Sequence, residues 1–229
     1  MPPSVAVVVP VYNEAGFIRE ALPALIRAVD SVLAEHIIYI VENGSSDDTA
    51  SLAREAAGDA RVVVMSLDAP DYGAAMRAGF LEADADWVVN FDIDYFSADF
   101  LDTVLSQPDD VALVIGSKRD AGSEDRRPWL RRVATFVFNI LLRTILHSHV
   151  SDTHGMKGFR RSLVKDLVPQ VRSTKDLFDT ELVVRAERAG YRIVEVPVVV
   201  EEIRSARSSI LKRVPRTLAG LFAIRRSLS

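Results

Sequence analysis

Short apolar runs at residues 5–9, 37–41, 61–65, 87–91 and 111–115 punctuate the first half of the chain. They are continuous rather than alternating and rich in Val and Ile, the pattern of strands buried on both faces. Residues 15–34, 47–57 and 71–83 lie between these runs and read as helices. Asp47 or Asp48 can cap the second helix, and Ala75, Ala78 and Gly79 give the third small packing positions. Strands separated by helices predict an α/β fold, a Rossmann-like and mostly parallel sheet with helices on both faces. Ligands of such sheets sit outside the carboxyl ends of the strands, so the polar residues after each run are where chemistry is expected.

The second half is less regular. Residues 129–146 carry Val133, Phe136, Val137, Ile140, Leu141, Thr144 and Ile145 at helical spacing. Phe138, Leu142 and Leu146 widen that stripe, and Arg131, Arg132 and Arg143 flank it. It reads either as a core-facing helix or as one that meets a lipid interface. Residues 178–189 predict a helix ended by Gly190, 191–200 a strand, and 208–226 a basic amphipathic stretch with Pro215 in its first turn. No repeat or low-complexity segment occurs, and 118–127 is the one polar loop of note, so residues 1–229 are expected to form one domain.

Composition narrows the classes. The 229 residues are 48% hydrophobic and 26% charged, which is globular. With no cysteine there is neither a disulfide nor a thiolate metal site. No apolar stretch of about 18 residues predicts a spanning helix. The start lacks a basic segment, so no signal peptide is expected and a cytoplasmic location is. Residues 1–110 hold 5 Lys and Arg against 20 Asp and Glu, and 111–229 hold 23 against 12. An acidic half suited to a cation is thus joined to a basic half suited to phosphate or an anionic surface. No nucleic-acid partner is expected.

Three polar segments stand at predicted strand ends. Asp92 and Asp94 follow the fourth run; two carboxylates one residue apart leave a strand on the same side and can hold a hard divalent cation, Mg²⁺ or Mn²⁺, that carries a diphosphate. Tyr12, Asn13 and Glu14 follow the first run after Pro10, offering an aromatic face and a carboxylate to a nucleoside, while Asn13 also suits a helix cap. Glu42 and Asn43 follow the second and can read a base or ribose, with Gly44 permitting the turn. Asp71 and Gly73 open a helix whose start favours phosphate. Gly-Lys-Ser/Thr and the G-x-G-x-x-G fingerprint are both missing, which argues against an NTPase and a dehydrogenase. Asp152 and His154 form a polar cluster, and the four His residues lack zinc spacing. Asp179 and Glu181 stand near a helix start; at most one faces the site, where it would act as a general base or, for Asp179, as a cap.

Pro10-Val11-Tyr12-Asn13-Glu14, the segment from Glu42 to Thr49, and Asp92-Ile93-Asp94 together resemble the family 2 glycosyltransferases of GT-A fold. The segments Asp152 to Arg160, Phe178 to Leu182 and Gly190 to Val198 are similar to the acceptor half of polyprenyl- and dolichyl-phosphate hexosyltransferases. The resemblance spans roughly residues 4–212. It implies a nucleotide-sugar-binding half over about 1–117 and an acceptor-binding half over about 118–229. It also implies metal-assisted, inverting transfer of a hexose from UDP-glucose or GDP-mannose to a polyprenyl phosphate, with Asp92 and Asp94 on the metal. Lys118, Arg131 and Arg204 match positions where the family contacts the acceptor phosphate. The chain departs from the family at Phe96, where relatives carry Gln, at Glu42-Asn43, where they carry Asp-Asp, and at Arg207-Ser208-Ser209-Ile210, where they carry Gly-x-Ser-Lys. Without spanning helices, a lipid acceptor implies peripheral docking on the cytoplasmic face of a membrane. Two alternatives stay open: a soluble hydroxyl acceptor with Asp179 or Glu181 as base, and a nucleotide-sugar binder without turnover.

Overall fold

The computed structural model describes residues 3–33, 35–58, 61–117, 124–125, 129–150, 153, 155–200 and 210–228; for 124–125, 129–132, 176, 200 and 210–214 it describes the backbone alone. The strands are β1 (Val5–Val11), β2 (His36–Asn43), β3 (Val62–Leu67), β4 (Trp87–Asn90), β5 (Val111–Ser117), β6 (Glu124–Asp125), β7 (Lys157–Arg160), β8 (Arg192–Pro197) and β9 (Val199–Val200). The helices are α1 (Ile18–Asp30), α2 (Thr49–Ala57), α3 (Tyr72–Glu82), α4 (Ala98–Leu105), α5 (Trp129–Leu141), α6 (Arg161–Leu167), α7 (Phe178–Arg188) and α8 (Ile210–Ser227). Seven strands form one sheet in the order β3-β2-β1-β4-β7-β5-β8, and β6 pairs with β9 apart from it. Every pairing in the large sheet is parallel except those of β7, which runs antiparallel between β4 and β5.

The β1 sequence shows why such strands are apolar throughout. Val5, Val7, Val9 and Val11 enter one core layer with Ile18, Leu22 and Leu25 of α1 and Phe100 of α4. Ala6 and Val8 enter the other with Met76 and Phe80 of α3, Leu163 of α6 and Leu182 of α7. Both faces are covered, so period-2 alternation of polarity has nowhere to appear. A third cluster joins Leu142, Ile145 and Leu146, in the π-helical turn that continues α5, to Val184 of α7 and to Leu221 and Ile224 of α8. Among the described residues no helix is long and apolar enough to cross a membrane.

Two local expectations change. Helix α1 starts at Ile18 rather than near residue 15, because the Glu14 carbonyl first accepts the N–H groups of Phe17 and Ile18. Strand β4 ends at Asn90, so Asp92 and Asp94 do not leave a strand. They sit in a turn closed by reciprocal backbone bonds between Asp92 and Tyr95, at 3.2 and 3.0 Å.

Candidate functional site

Parallel pairing brings the carboxyl ends of β1, β2 and β4 side by side, with Val11 opposite Glu42 and Val8 opposite Asn90. The loops leaving these ends are stitched to each other. Asn13 adopts a left-handed φ of 53° and its side-chain oxygen accepts the Ser46 N–H at 2.9 Å. Asn13 therefore joins two loops rather than capping α1, whose N-cap is Phe17. Glu14 N–H donates to the Thr49 hydroxyl at 2.7 Å. Asp47 accepts from Ala15 N–H on one oxygen and from Thr49 on the other. Burial pushes the Asp47 carboxyl up, but these bonds outweigh it and hold the group below the usual carboxylate range.

The next loop is built the same way. Glu42, buried, accepts the Ser45 N–H, and Asn43 accepts the Asp71 N–H at 2.7 Å. Gly44 has φ +62°, and a Cβ there would lie 2.6 Å from the Ala69 carbonyl carbon, so only glycine fits. Asp71 caps α3, accepting Ala74 N–H and Lys175 N–H, each at 3.0 Å, on one oxygen. A Cβ on Gly73 would lie 2.9 Å from the backbone of Thr174 and Lys175, so its small size lets the start of α3 meet the approach to α7. Pro10 lies in β1 opposite Val41, and Tyr12 stands 42% exposed just past the strand.

In the Asp92–Tyr95 turn, Ile93 is buried in the same core layer as Phe91, which anchors the turn while Asp92 and Asp94 stay half-buried. Phe96, where the family pattern has Gln, packs against that layer. Among the described residues no three His, Asp or Glu side chains gather as a metal site. A pair of hard oxygen donors fits Mg²⁺ or Mn²⁺ of the kind bound by one or two carboxylates plus substrate phosphates.

Across the sheet edge, Lys157 at the start of β7 is opposite Asn90. Its side chain is fully buried. The ammonium donates to the Gly155 carbonyl at 2.8 Å and pairs with Asp179 at 3.3 Å. The same Asp179 oxygen accepts the Tyr72 hydroxyl at 3.1 Å. The other Asp179 oxygen is buried with no hydrogen-bond partner among the described residues. Glu181, also buried, is differently placed. One oxygen accepts Arg172 N–H and Ser173 N–H at 3.1 and 2.6 Å; the other takes Arg185 at 2.8 Å. Burial raises its carboxyl, yet the bonds from Ser173, Arg185 and Arg172 outweigh that and leave it below the usual range. Of the two carboxylates only Asp179 reaches across to the start of α3, and neither caps α7, whose N-cap Leu177 has no side-chain bond.

Lys118, Asp152, His154 and Arg204 lie outside the described residues, and Arg131 lies on α5 where the backbone alone is described. Lys157, Tyr72 and Asn90 were passed over by sequence reasoning. The usable signal was a lysine inside the otherwise apolar Met156–Phe159 segment. On α5, Val133, Phe136, Val137 and Ile140 share an outward face and are each 45–53% exposed, while Leu142 and Leu146 beyond them turn into the core. The stripe is thus exposed along one part and buried along the other.

The Glycosyl transferase family 2 model matches residues 6–168. An uncharacterized glycosyltransferase of Mycobacterium tuberculosis is 35% identical over 196 residues, 85% of this chain and 84% of that protein. Polyprenol monophosphomannose synthase of Mycolicibacterium smegmatis is 33% identical over 212 residues, 86% of this chain and 77% of that one. Among solved structures, glucosyl-3-phosphoglycerate synthase from Mycobacterium tuberculosis, in complex with Mn²⁺, UDP-glucose and phosphoglyceric acid, aligns over 97% of this chain and 79% of its own. Its TM-score is 0.73 at 19% identity, which establishes the shared GT-A fold.

Proposed function

The chain belongs to glycosyltransferase family 2, and from that premise we propose that it transfers a hexose, with inversion, from a nucleoside diphosphate sugar to a polyprenyl phosphate. The observation that carries this reading is the state of the two carboxylates available as a general base. Asp179 is buried against the Lys157 ammonium and the Tyr72 hydroxyl, and Glu181 is taken by Arg185 and two backbone N–H groups. A hydroxyl acceptor needs a base to remove its proton. A phosphate acceptor is already an anion and needs cations and alignment instead. The likeness to polyprenol monophosphomannose synthase supports the same acceptor class.

In this reading Pro10, Tyr12, Glu14, Glu42 and Asn43 frame the nucleoside, and the start of α3 at Asp71 and Gly73 lies along the diphosphate. Lys118, Arg131, Asp152, His154 and Arg204 serve the acceptor. An acceptor phosphate oxygen attacks the anomeric carbon from the face opposite the diphosphate. The bond from that carbon to the diphosphate oxygen breaks, and the nucleoside diphosphate leaves with the electron pair. Mg²⁺ or Mn²⁺ on Asp92 and Asp94 would neutralise the charge that collects on the leaving diphosphate.

A lipid acceptor puts the protein against a bilayer. The outer face of α5 suits that contact, because a helix apolar on two opposite faces buries one in the core and leaves the second needing cover. Arg143, exposed one turn further on, and the basic balance of residues 111–229 suit anionic headgroups.

A second reading is transfer to a soluble hydroxyl, favoured by the one Asp179 oxygen that has no partner among the described residues. The test is to supply UDP-glucose and GDP-mannose carrying labelled hexose, with polyprenyl phosphate in detergent, and to partition the product. Label in the organic phase supports the lipid acceptor. Label that stays in water on a hydroxyl product, with a rate that titrates as a carboxylate, replaces it with the second reading.

A further inference from the structure

Among the described residues Lys157 is the only lysine or arginine that is buried. An ammonium withdrawn from water is costly, so a fold carries one where its partners repay the desolvation. The two partners of Lys157, the Gly155 carbonyl and Asp179, are each tied to a further element. Gly155, whose carbonyl takes the Lys157 ammonium, is also approached by the Asn90 side-chain amide at 3.4 Å, and Asn90 ends the strand leading to Asp92. Asp179 lies in the first turn of α7. Tyr72, on the same Asp179 oxygen, is the first residue of α3, and its neighbour Asp71 holds Lys175 N–H. One buried charge therefore sits where the metal-side turn, the donor-side helix start and the acceptor-side helix meet.

We infer that Lys157 is a positioning residue for the transfer. With Asp179 and Tyr72 it fixes α7, on the acceptor side, in register with the start of α3 and the Asp92–Asp94 turn, on the donor side. The pair acts as a neutral unit and exchanges no proton with substrate. This deepens the proposed function: the tie rests on transfer between the two halves, and the absence of proton exchange rests on the phosphate acceptor. Its physical basis is alignment: reacting groups held on separate elements lose rate steeply when one shifts by an ångström.

Tyr72→Phe is the mildest probe, since it deletes one hydroxyl and keeps the ring. Its kcat is expected to fall roughly tenfold while the dissociation constant of the nucleoside diphosphate changes less than about twofold. Lys157→Met is expected to lose more, and Lys157→Arg to recover part of that loss. A merely structural role would lower the thermal midpoint of these variants and leave kcat below that midpoint unchanged, which would overturn the inference. Should the wild-type protein transfer to no acceptor at all, the proposed function fails, and hydrogen exchange then decides the inference alone. The tie predicts that Tyr72→Phe speeds exchange of amides in 72–75 and 175–179 by about tenfold, as local opening becomes easier. Exchange equal to wild type would overturn it.

Discussion

At the carboxyl ends of β1 and β2 and the start of α3, polar side chains are satisfied by backbone groups of their own loop or a neighbouring segment. Asn13 takes Ser46 N–H, Glu42 takes Ser45 N–H, Asn43 takes Asp71 N–H and Asp71 takes Lys175 N–H. On α7, buried carboxylates also meet cations: Asp179 meets Lys157 and Glu181 meets Arg185. The first arrangement makes a rigid rim of short loops. The second locks helices whose charges would be intolerable unpaired. In the proposed function the first lies where the nucleotide would be held, and the second where the two halves would have to stay aligned.

The largest effect is expected at the half-buried carboxylate pair, Asp92 and Asp94. Asp94→Ala should abolish metal-dependent nucleotide binding, measured by calorimetry with and without chelator; equal affinity in all four titrations would remove the ion from this turn. Next comes the buried pair. Lys157→Met should cost about 3–5 kcal/mol in urea unfolding, because it strands the Asp179 carboxylate. A much smaller cost would mean that the acceptor side does not depend on charge pairing.

Glu181 gives the comparison a pH axis. Its folded carboxyl is lowered, so it stabilises the protein fully above the unfolded value of about 4.3, and that stability is lost as pH falls through the lower folded value. Glu181→Gln should therefore be less stable than wild type by about 1–3 kcal/mol at pH 7. The two urea midpoints should converge as pH drops from about 5 toward 3. A gap that stays constant would separate Glu181 from the lowered carboxyl. The smallest effect on stability is expected on the outer face of α5. Phe136→Ser with Ile140→Ser should alter unfolding by less than about 0.5 kcal/mol while reducing sedimentation with anionic vesicles; unchanged sedimentation would take this face away from the membrane.

Much of residues 1–117 was legible because its signals are local. Each strand is an apolar run, and each loop follows it directly. What escaped was long-range or short. Strand β7 is four residues, Lys-Gly-Phe-Arg, with a buried charge and a glycine, so neither propensity nor alternation announces it. Its place between β4 and β5 is a tertiary fact. The Tyr72–Asp179 bond joins residues 107 apart, and no spacing rule reaches that far. The Asp92–Asp94 pair was found for a reason that needed correction. The two carboxylates share a setting because Ile93 anchors a closed turn, not because a strand continues through them.

The most direct measurement is the transfer rate of the double variant Lys157→Met with Asp179→Leu, made with polyprenyl phosphate as acceptor. Replacing a buried ion pair by apolar side chains leaves no stranded charge, so the protein should fold. If Asp179 serves only as half of a neutral pair, the double variant should lose no more rate than Lys157→Met alone, which already breaks the pair. A folded double variant clearly slower than Lys157→Met would make Asp179 a proton acceptor in the reaction and contradict the account.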